Sequence, residues 1–252
     1  MIPYDALVYN RENRSYYMPL LPFISDNDLY ESTETLVSAA KTAESDVEKN
    51  PYKNVIDPFS ALVDAARQGI SIEEWMQQEK SRQIQKSFQN AVGDFHQNIL
   101  SSMPKCRNGG KAGNLDVVCD EKKIIAEVKN KYNTMNSGAQ VKVYDDLAGW
   151  LDFQYGKLGY TAYVVDVVPR NPKPYTKHYA PSDKGTKRQT RQNLLRIDGR
   201  SFYAMLSDYD NAIDMLYEVL PSVLSSILKI DESLLKHHSE FNDLFKRAYI
   251  KK

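Results

Sequence analysis

The stretch GNLDVVCDEKKIIAEVKNKYNT, residues 113–134, contains the pattern that decides the fold. Two runs rich in β-branched residues, 114–119 and 123–129, flank the polar tripeptide at 120–122. Strand-forming runs joined by a short polar turn are typical of a β-hairpin. The sequence therefore predicts two paired strands at this point of the chain.

Acidic and basic side chains interrupt this hairpin at regular positions. Because side chains alternate between the two faces of a strand, Glu127 and Lys129 share one face, and the apolar Val128 between them lies on the other. Asp116 lies in the first predicted strand, between Leu115 and Val117. The hairpin therefore brings the carboxylates of Asp116 and Glu127 toward one end of the paired strands.

Two carboxylates and a backbone carbonyl, for which Val128 is the candidate, form an oxygen-rich set of ligands. Such a set suits Mg²⁺, which keeps several waters and takes its other ligands from carboxylates and a substrate phosphate. We expect one or two ions in each site, with Mn²⁺ able to substitute. Lys129 would hold or help to deprotonate an attacking water, or offset charge that develops on a phosphate.

The spacing alone also fits an ordinary surface hairpin that carries a Glu–Lys pair, since a loosely spaced Asp…Glu-x-Lys is common. The surrounding elements favour the chemical interpretation. Ser71 and Glu74 form a capping box that predicts the start of a long helix ending before Pro104. The hairpin is followed by a predicted helix at 139–157 and a nearly continuous apolar strand at 160–168.

The rest of the chain completes an α/β sandwich around a small mixed sheet, with additional helices at both ends. The predicted elements are irregular structure over 1–30, a helix or loop over 31–50, a helix over 57–69, a basic loop from 169 to about 196, and helices over 201–229 and 231–249. We expect residues 1–70 to form an N-terminal region packed on a nuclease domain of residues 71–252.

Composition limits the class of protein. The chain has 252 residues, 42% hydrophobic and 26% charged, which is ordinary for a soluble globular protein. No apolar run approaches the ~20 residues that cross a bilayer, and the N-terminus lacks a secretory signal pattern. Cys106 and Cys119 are too few for a disulfide scaffold, and the four histidines lack zinc spacing. A bacterial cytoplasmic protein with reduced thiols is expected.

Charge is distributed unevenly although the net charge is zero. Residues 26–79 contain twelve acidic and four basic residues, whereas residues 173–200 contain eight basic and two acidic ones. Zero net charge argues against a protein that coats nucleic acid nonspecifically. The basic segment 169–200 predicts a local anion-binding surface, although a solvated charged loop is an equal alternative.

Taken together, Leu115-Asp116 and Glu127-Val128-Lys129 in this context resemble the PD-(D/E)xK nuclease superfamily. Leu115 replaces the proline of the family pattern. A closer resemblance is to type II restriction endonucleases that cut GGNCC or GGWCC sites, and four blocks carry it: residues 89–100, 113–134, 181–185 and 196–206.

This resemblance implies a type II site-specific deoxyribonuclease with Asp116, Glu127 and Lys129 as catalytic residues. It implies a homodimer that cuts double-stranded DNA at a short palindromic site and leaves 5′-phosphates. A DNA methyltransferase of the same restriction-modification system would protect the host, as a functional rather than a physical partner.

Polar residues after the triad and in the basic loop are candidates for contacts with DNA. Arg and Lys bind guanine in the major groove, and amides contact bases or phosphates. The candidates are Asn130, Lys131, Asn133, Thr134, Lys184, Lys187, Arg188, Gln189, Arg191, Gln192 and Asn193.

Two residues of the long helix have competing interpretations. Asp94 is a candidate further metal ligand, but it also fits a solvated polar stripe with Asn90 and Gln97. His96 borders the apolar face and fits a packing residue better than a general base.

Three other functions compete with restriction. A repair or junction-resolving nuclease would use the same triad. A non-catalytic DNA-binding protein should have lost a triad residue, and all three are present. A metal hydrolase that does not act on nucleic acid would leave the basic segment unexplained.

Overall fold

The computed structural model describes residues 8–10, 15–110, 115–236 and 239–250. These form two compact units. One unit combines the described residues up to Thr33 with those from His96 onward, and the other is Glu34–Phe95. The division of the chain at residue 70 stays a prediction.

Helices and strands follow one another in groups along the described part of the chain. The α-helices are α1 (Asp26–Lys49), α2 (Pro58–Gln68), α3 (Ile72–Ser101), α4 (Ser137–Trp150), α5 (Gly199–Ser207), α6 (Ala212–Leu228) and α7 (Ser239–Tyr249). The strands are β1 (Val8–Asn10), β2 (Ser15–Tyr17), β3 (Cys106–Arg107), β4 (Val117–Cys119), β5 (Ile124–Lys131), β6 (Thr161–Val168), β7 (Thr176–His178), β8 (Ser182–Asp183), β9 (Thr186–Lys187) and β10 (Leu194–Asp198).

A mixed six-stranded sheet has the order β3-β4-β5-β6-β10-β7. The strands β5, β6 and β10 run parallel to one another, and β3, β4 and β7 are antiparallel to their neighbours. This confirms the predicted small mixed sheet flanked by helices. The predicted hairpin is confirmed as β4 and β5, but its first strand begins only at Val117. Residue 114 lies outside the described residues.

Helix α4 connects β5 to β6 and covers one face of the sheet. The helix is apolar on one side, where Tyr144, Leu147 and Ala148 are buried against strand residues such as Ile125 and Val164. Asn136 caps the helix by accepting a hydrogen bond from the backbone N–H of Ala139 at 2.8 Å. A π-helical turn over Leu151–Tyr155 continues α4, so the predicted helix over 139–157 changes its winding near its end.

Helix α5 contributes to the opposite face, where the ring of Phe202 lies 5.8 Å from that of Tyr163 on β6. Gly199 at the start of α5 makes this approach possible. A Cβ atom at this position would lie 2.3 Å from the carbonyl oxygen of Val167, far inside van der Waals contact. The close packing of α5 on β6 therefore requires a residue without a side chain.

The prediction of a continuous loop from 169 to 196 was wrong. Residues Leu194–Asp198 form β10, which pairs with β6 inside the sheet, and β7 pairs with β10. Between them, β8 and β9 form a hairpin whose turn residues Lys184 and Gly185 both have positive φ, 47° and 81°. Positive φ at both central positions is the geometry of a type I′ hairpin turn.

The predicted helices at the C-terminus also required correction. The segment 201–229 is two helices, since Asp208 adopts a left-handed φ of 64° and ends α5. The segment 231–249 contains a 3₁₀ turn at Glu232–Leu234 before α7.

The predicted start of α3 and end of α2 are confirmed, whereas the predicted start of α1 is corrected. The N–H of Ser71 donates to the carboxylate of Glu74 at 2.9 Å, and the N–H of Glu74 donates to the Ser71 hydroxyl at 3.2 Å. Gly69 ends α2 in the left-handed conformation, as its position predicts. The segment 31–50 is helical, and its helix starts earlier than expected, at Asp26. Residues 1–30 are therefore not wholly irregular.

The two cysteines are free thiols that lie opposite each other on β3 and β4. Burial, together with a hydrogen bond to Cys119, raises the pKa of the Cys106 thiol. None of the described helices combines the length and apolar character needed to cross a membrane.

The contact at Gly199 makes a prediction about stability. We expect Gly199→Ala to lower the free energy of unfolding by about 1–3 kcal/mol, because backbone atoms of β6 would have to move. Gly149→Ala on α4 is the matched control, since a Cβ there meets nothing within 4 Å. It should be neutral or stabilise by up to about 1 kcal/mol through helix propensity. Urea denaturation measures both, and equal effects would contradict the packing argument.

Candidate active site

Asp116 lies just before β4 and bonds to the backbone of β5. Its N–H donates to the carbonyl of Ala126 at 3.0 Å, and its carboxylate accepts the N–H of Val128 at 2.6 Å. The pairing of Val117 with Ala126, continued by one residue, places Asp116 opposite Glu127. Cβ atoms of such opposed residues are about 5 Å apart. The structure therefore brings Asp116 next to Glu127 of β5.

Glu127 and Lys129 lie on the same face of β5, as alternation predicts. Lys129 Nζ is 2.5 Å from Glu127 Oε1, and the two side chains are 24% and 15% exposed. Both side chains are therefore largely, but not wholly, withdrawn from water. In a partly desolvated pair of this kind, the electrostatic interaction is stronger than at a fully exposed surface.

The donor set near Glu127 fits a hard divalent cation. The N–H and C=O of a strand residue point toward the same neighbouring strand, so the Val128 carbonyl faces the side of Asp116. Two carboxylates and a carbonyl leave room for the waters that Mg²⁺ retains. Across the described ranges, no group of three or more His, Cys, Asp or Glu side chains is arranged to hold a metal.

Comparison with known proteins bears directly on this arrangement. Residues 21–229 match the model of the Eco47II restriction endonuclease family, which includes β4, β5 and all strands up to β10. The type II restriction enzyme Eco47II of Escherichia coli is 40% identical over 215 residues, covering 84% of this chain and 89% of the relative. The type II restriction enzyme Sau96I of Staphylococcus aureus is 26% identical over 208 residues, covering 81% and 79%.

The chain belongs to the Eco47II restriction endonuclease family. Membership confirms the predicted class of type II site-specific endonuclease, a hydrolase, and the resemblance to type II restriction enzymes.

In this member of the Eco47II family, the residues predicted to contact DNA lie in two regions. Asn130 and Lys131 end β5, and Asn133 and Thr134 follow in a turn where the Thr134 hydroxyl donates to the Lys131 carbonyl at 2.9 Å. The remaining candidates, Lys184, Lys187, Arg188, Gln189, Arg191, Gln192 and Asn193, lie in or after the β8–β9 hairpin. Their contacts with DNA stay a prediction.

Two arginines of the second region are ion-paired with helix α4 and its continuation. Arg188 binds both carboxylate oxygens of Asp145 at 2.7 and 2.8 Å. Arg191 binds both oxygens of Asp152 at 2.7 and 2.8 Å. In contrast, Lys184 and Lys187 are exposed on the hairpin. The arginines thus hold this segment on α4.

Sequence reasoning missed a buried ionic group at the carboxyl ends of β6 and β10. Arg196 donates two hydrogen bonds to Asp166, at 2.7 and 2.8 Å, and one to the carbonyl of Tyr132 at 3.0 Å. The hydroxyl of Tyr175 also donates to Asp166. Burial and this bond raise the pKa of the Tyr175 phenol. The sequence did contain a signal for this group, because Asp166 lies within the apolar run YTAYVVDVV. A charge buried in such a strand needs a partner of opposite charge.

The two residues of the long helix differ in their surroundings. Asp94 lies in the Glu34–Phe95 unit, where it lines a cavity of about 440 Å³ with residues of α1. Its role as a further metal ligand stays a prediction. His96 Nδ1 is 2.8 Å from the hydroxyl of Tyr203. Burial lowers the pKa of His96 to about 4, which keeps the imidazole neutral near pH 7 and fits the packing interpretation.

His96 gives the stability a pH dependence that can be measured. Between its ordinary pKa of 6.5 and about 4, the unfolded chain binds a proton that the folded protein excludes. The free energy of unfolding should therefore fall as pH is lowered through this window.

Urea denaturation at several pH values measures this slope. His96→Gln should flatten it between about pH 5 and 6.5, because glutamine does not titrate. A slope in His96→Gln equal to that of the parent protein in this range would refute the assignment.

Proposed function

We propose that the protein hydrolyses phosphodiester bonds of double-stranded DNA at a short palindromic G/C-rich site, GGNCC-like, in a Mg²⁺-dependent reaction that leaves 5′-phosphates. The observation that carries the proposal is the largely buried Glu127–Lys129 pair on β5, with the Asp116 carboxylate bonded to the backbone of the same strand. The family and its named relatives supply the reaction class.

Asp116, Glu127 and the carbonyl of Val128 would hold the ion, or two ions, with Mn²⁺ as a substitute. When bound, the ion supplies Lewis-acid polarisation of the phosphate and a water of lowered pKa. The bond from the Val128 N–H fixes the Asp116 carboxylate at the edge of β5. The sheet thereby positions both acids before substrate arrives, which reduces the reorganisation that the reaction requires.

Lys129 would act on the attacking water and on the charge of the phosphate. Its ammonium group already donates to Glu127 at 2.5 Å, so the side chain is extended along the face of β5 rather than into solvent. A phosphate approaching Glu127 and Asp116 would come within reach of the same ammonium group. That group would orient the water and stabilise negative charge that develops on the phosphate oxygens.

A palindromic site has two-fold symmetry, and a symmetric dimer presents one active site to each strand. We therefore propose a homodimer, acting in a bacterial cytoplasm beside a methyltransferase that protects host DNA.

Cleavage by triad variants tests the proposal. Purified protein with phage DNA and Mg²⁺ should give discrete fragments, and sequencing of their ends identifies the site. Ligation of the fragments without prior phosphorylation tests for 5′-phosphates. Asp116→Asn, Glu127→Gln and Lys129→Met should each lower the cleavage rate by about a hundredfold or more. Glu121→Gln, at an exposed acid in the turn of the same hairpin, is the matched control and should cleave normally.

Different failures have different meanings. A smear that depends on the triad would indicate a nonspecific or structure-selective nuclease. Tight binding of unmethylated DNA without cleavage under any divalent metal would favour a non-catalytic DNA-binding protein. Normal cleavage by Glu127→Gln would remove that residue from the active site.

A further inference from the structure

The arginines of the segment after β9 are poorly placed to hold DNA phosphates. Arg188 and Arg191 are each bound through two hydrogen bonds to an aspartate. A phosphate that displaced either aspartate would have to break both bonds, and it would meet the released carboxylate as a like charge. These residues therefore serve to fix the segment on α4.

A different set of cations lines a cavity of about 700 Å³ near the carboxyl ends of β5 and β6. Its wall includes Arg170, Lys173 and Lys177, none of which has an ion-pair partner within the part of the chain that the structure describes. Lys177 lies over the ring of Tyr175, with Nζ 5.1 Å from the ring centre. The cavity thus has an excess of positive charge.

The floor of this cavity contains the buried Asp166–Arg196 pair, whose side chains are 2% and 14% exposed. Burial by itself would lower the pKa of Arg196, but its bonds to Asp166 outweigh that effect and raise it. Arg196 also holds the carbonyl of Tyr132, and Asp166 holds the hydroxyl of Tyr175. Tyr132 and Tyr175, both in the cavity wall, are therefore bonded to the same ion pair, in which the charges of Asp166 and Arg196 neutralise each other.

The cavity is next to the proposed active site. Asp166, in its floor, is the register partner of Lys129 on the neighbouring strand. Tyr132, in its wall, is three residues beyond Lys129, or about 10 Å along the chain. With about 3.4 Å of rise per nucleotide, this distance corresponds to about three nucleotides of one DNA strand.

The structure assigns this cavity as a binding site for DNA backbone phosphates, with Arg170, Lys173 and Lys177 as the cations that hold them. The inference rests on the proposed action on duplex DNA. The cavity holds the strand about one to three nucleotides from the bond that is cut. Arg188 and Arg191 do not take part in this contact.

Salt dependence of binding tests the assignment without cleavage. A labelled 20-base-pair duplex of arbitrary sequence is titrated with protein in metal-free buffer at several KCl concentrations, with fluorescence anisotropy as the readout. Each lost phosphate contact reduces the slope of log affinity against log salt by about 0.9. We expect this reduction for Lys173→Ala, and about twice as much for Arg170→Ala/Lys173→Ala.

Lys157→Ala is the matched control, because Lys157 is an equally exposed lysine in the turn before β6, at the other end of that strand. It should leave the slope unchanged. Arg188→Ala/Arg191→Ala should lower the melting temperature and leave the slope unchanged. The assignment is overturned if the cavity variants keep the parental slope or if the loop variant reduces it.

A thermal-shift titration with inorganic phosphate separates DNA from a free anion. One outcome is that phosphate stabilises the parental protein but not the double variant while both proteins show the same salt slope for duplex binding. That result would make the cavity a free-phosphate site and overturn the assignment. Because no metal or cleavage is involved, the slope remains informative if the proposed nuclease activity fails. Normal cleavage with an unchanged slope would refute the cavity site alone.

Discussion

The ion pair between Asp166 and Arg196 is the interaction on which the carboxyl end of the sheet depends. Charges withdrawn from water destabilise a protein unless their hydrogen-bonding groups are satisfied. Here the partners come from separate segments, since Tyr132 follows β5 and Tyr175 precedes β7. The parallel register of β6 with both β5 and β10 brings these segments together. The same register sets Lys129 beside Asp166, so the geometry of the proposed active site and that of the adjoining cavity are linked.

Local patterns predicted the elements whose formation depends on nearby residues. The capping box at Ser71, the left-handed Gly69 and the apolar side of α4 all depend on residues within a few positions of one another. The β4–β5 hairpin is likewise local, and alternation along β5 correctly placed Glu127 beside Lys129. For this reason the residues proposed for catalysis could be chosen from the sequence.

Elements that depend on distant partners could not be predicted in the same way. The prolines and basic residues before β10 predicted a loop that extends into this segment. The five residues of β10 become part of the sheet through their pairing with β6. From the sequence, Arg188 and Arg191 were predicted to be available for DNA. The carboxylates that bind them are 43 and 39 residues away in the chain, so no local pattern indicates these ion pairs. The predicted helix over 201–229 is divided at Asp208, which adopts the left-handed backbone conformation. Aspartate adopts this conformation more readily than most residues, but an aspartate in the sequence does not by itself predict it.

The bond between the Asp116 carboxylate and the N–H of Val128 connects side-chain chemistry to a backbone amide. The last backbone bond from this end of β4 to β5 is donated by the N–H of Asp116, so the Val128 amide is held by a carboxylate in place of a strand carbonyl. Exchange of its hydrogen for solvent deuterium requires that bond to open. Any ligand that draws the carboxylate oxygen away would speed exchange at this one position, while neighbouring amides such as that of Ala126 would keep their strand partners. A single backbone amide can thus report the state of the acid beside it.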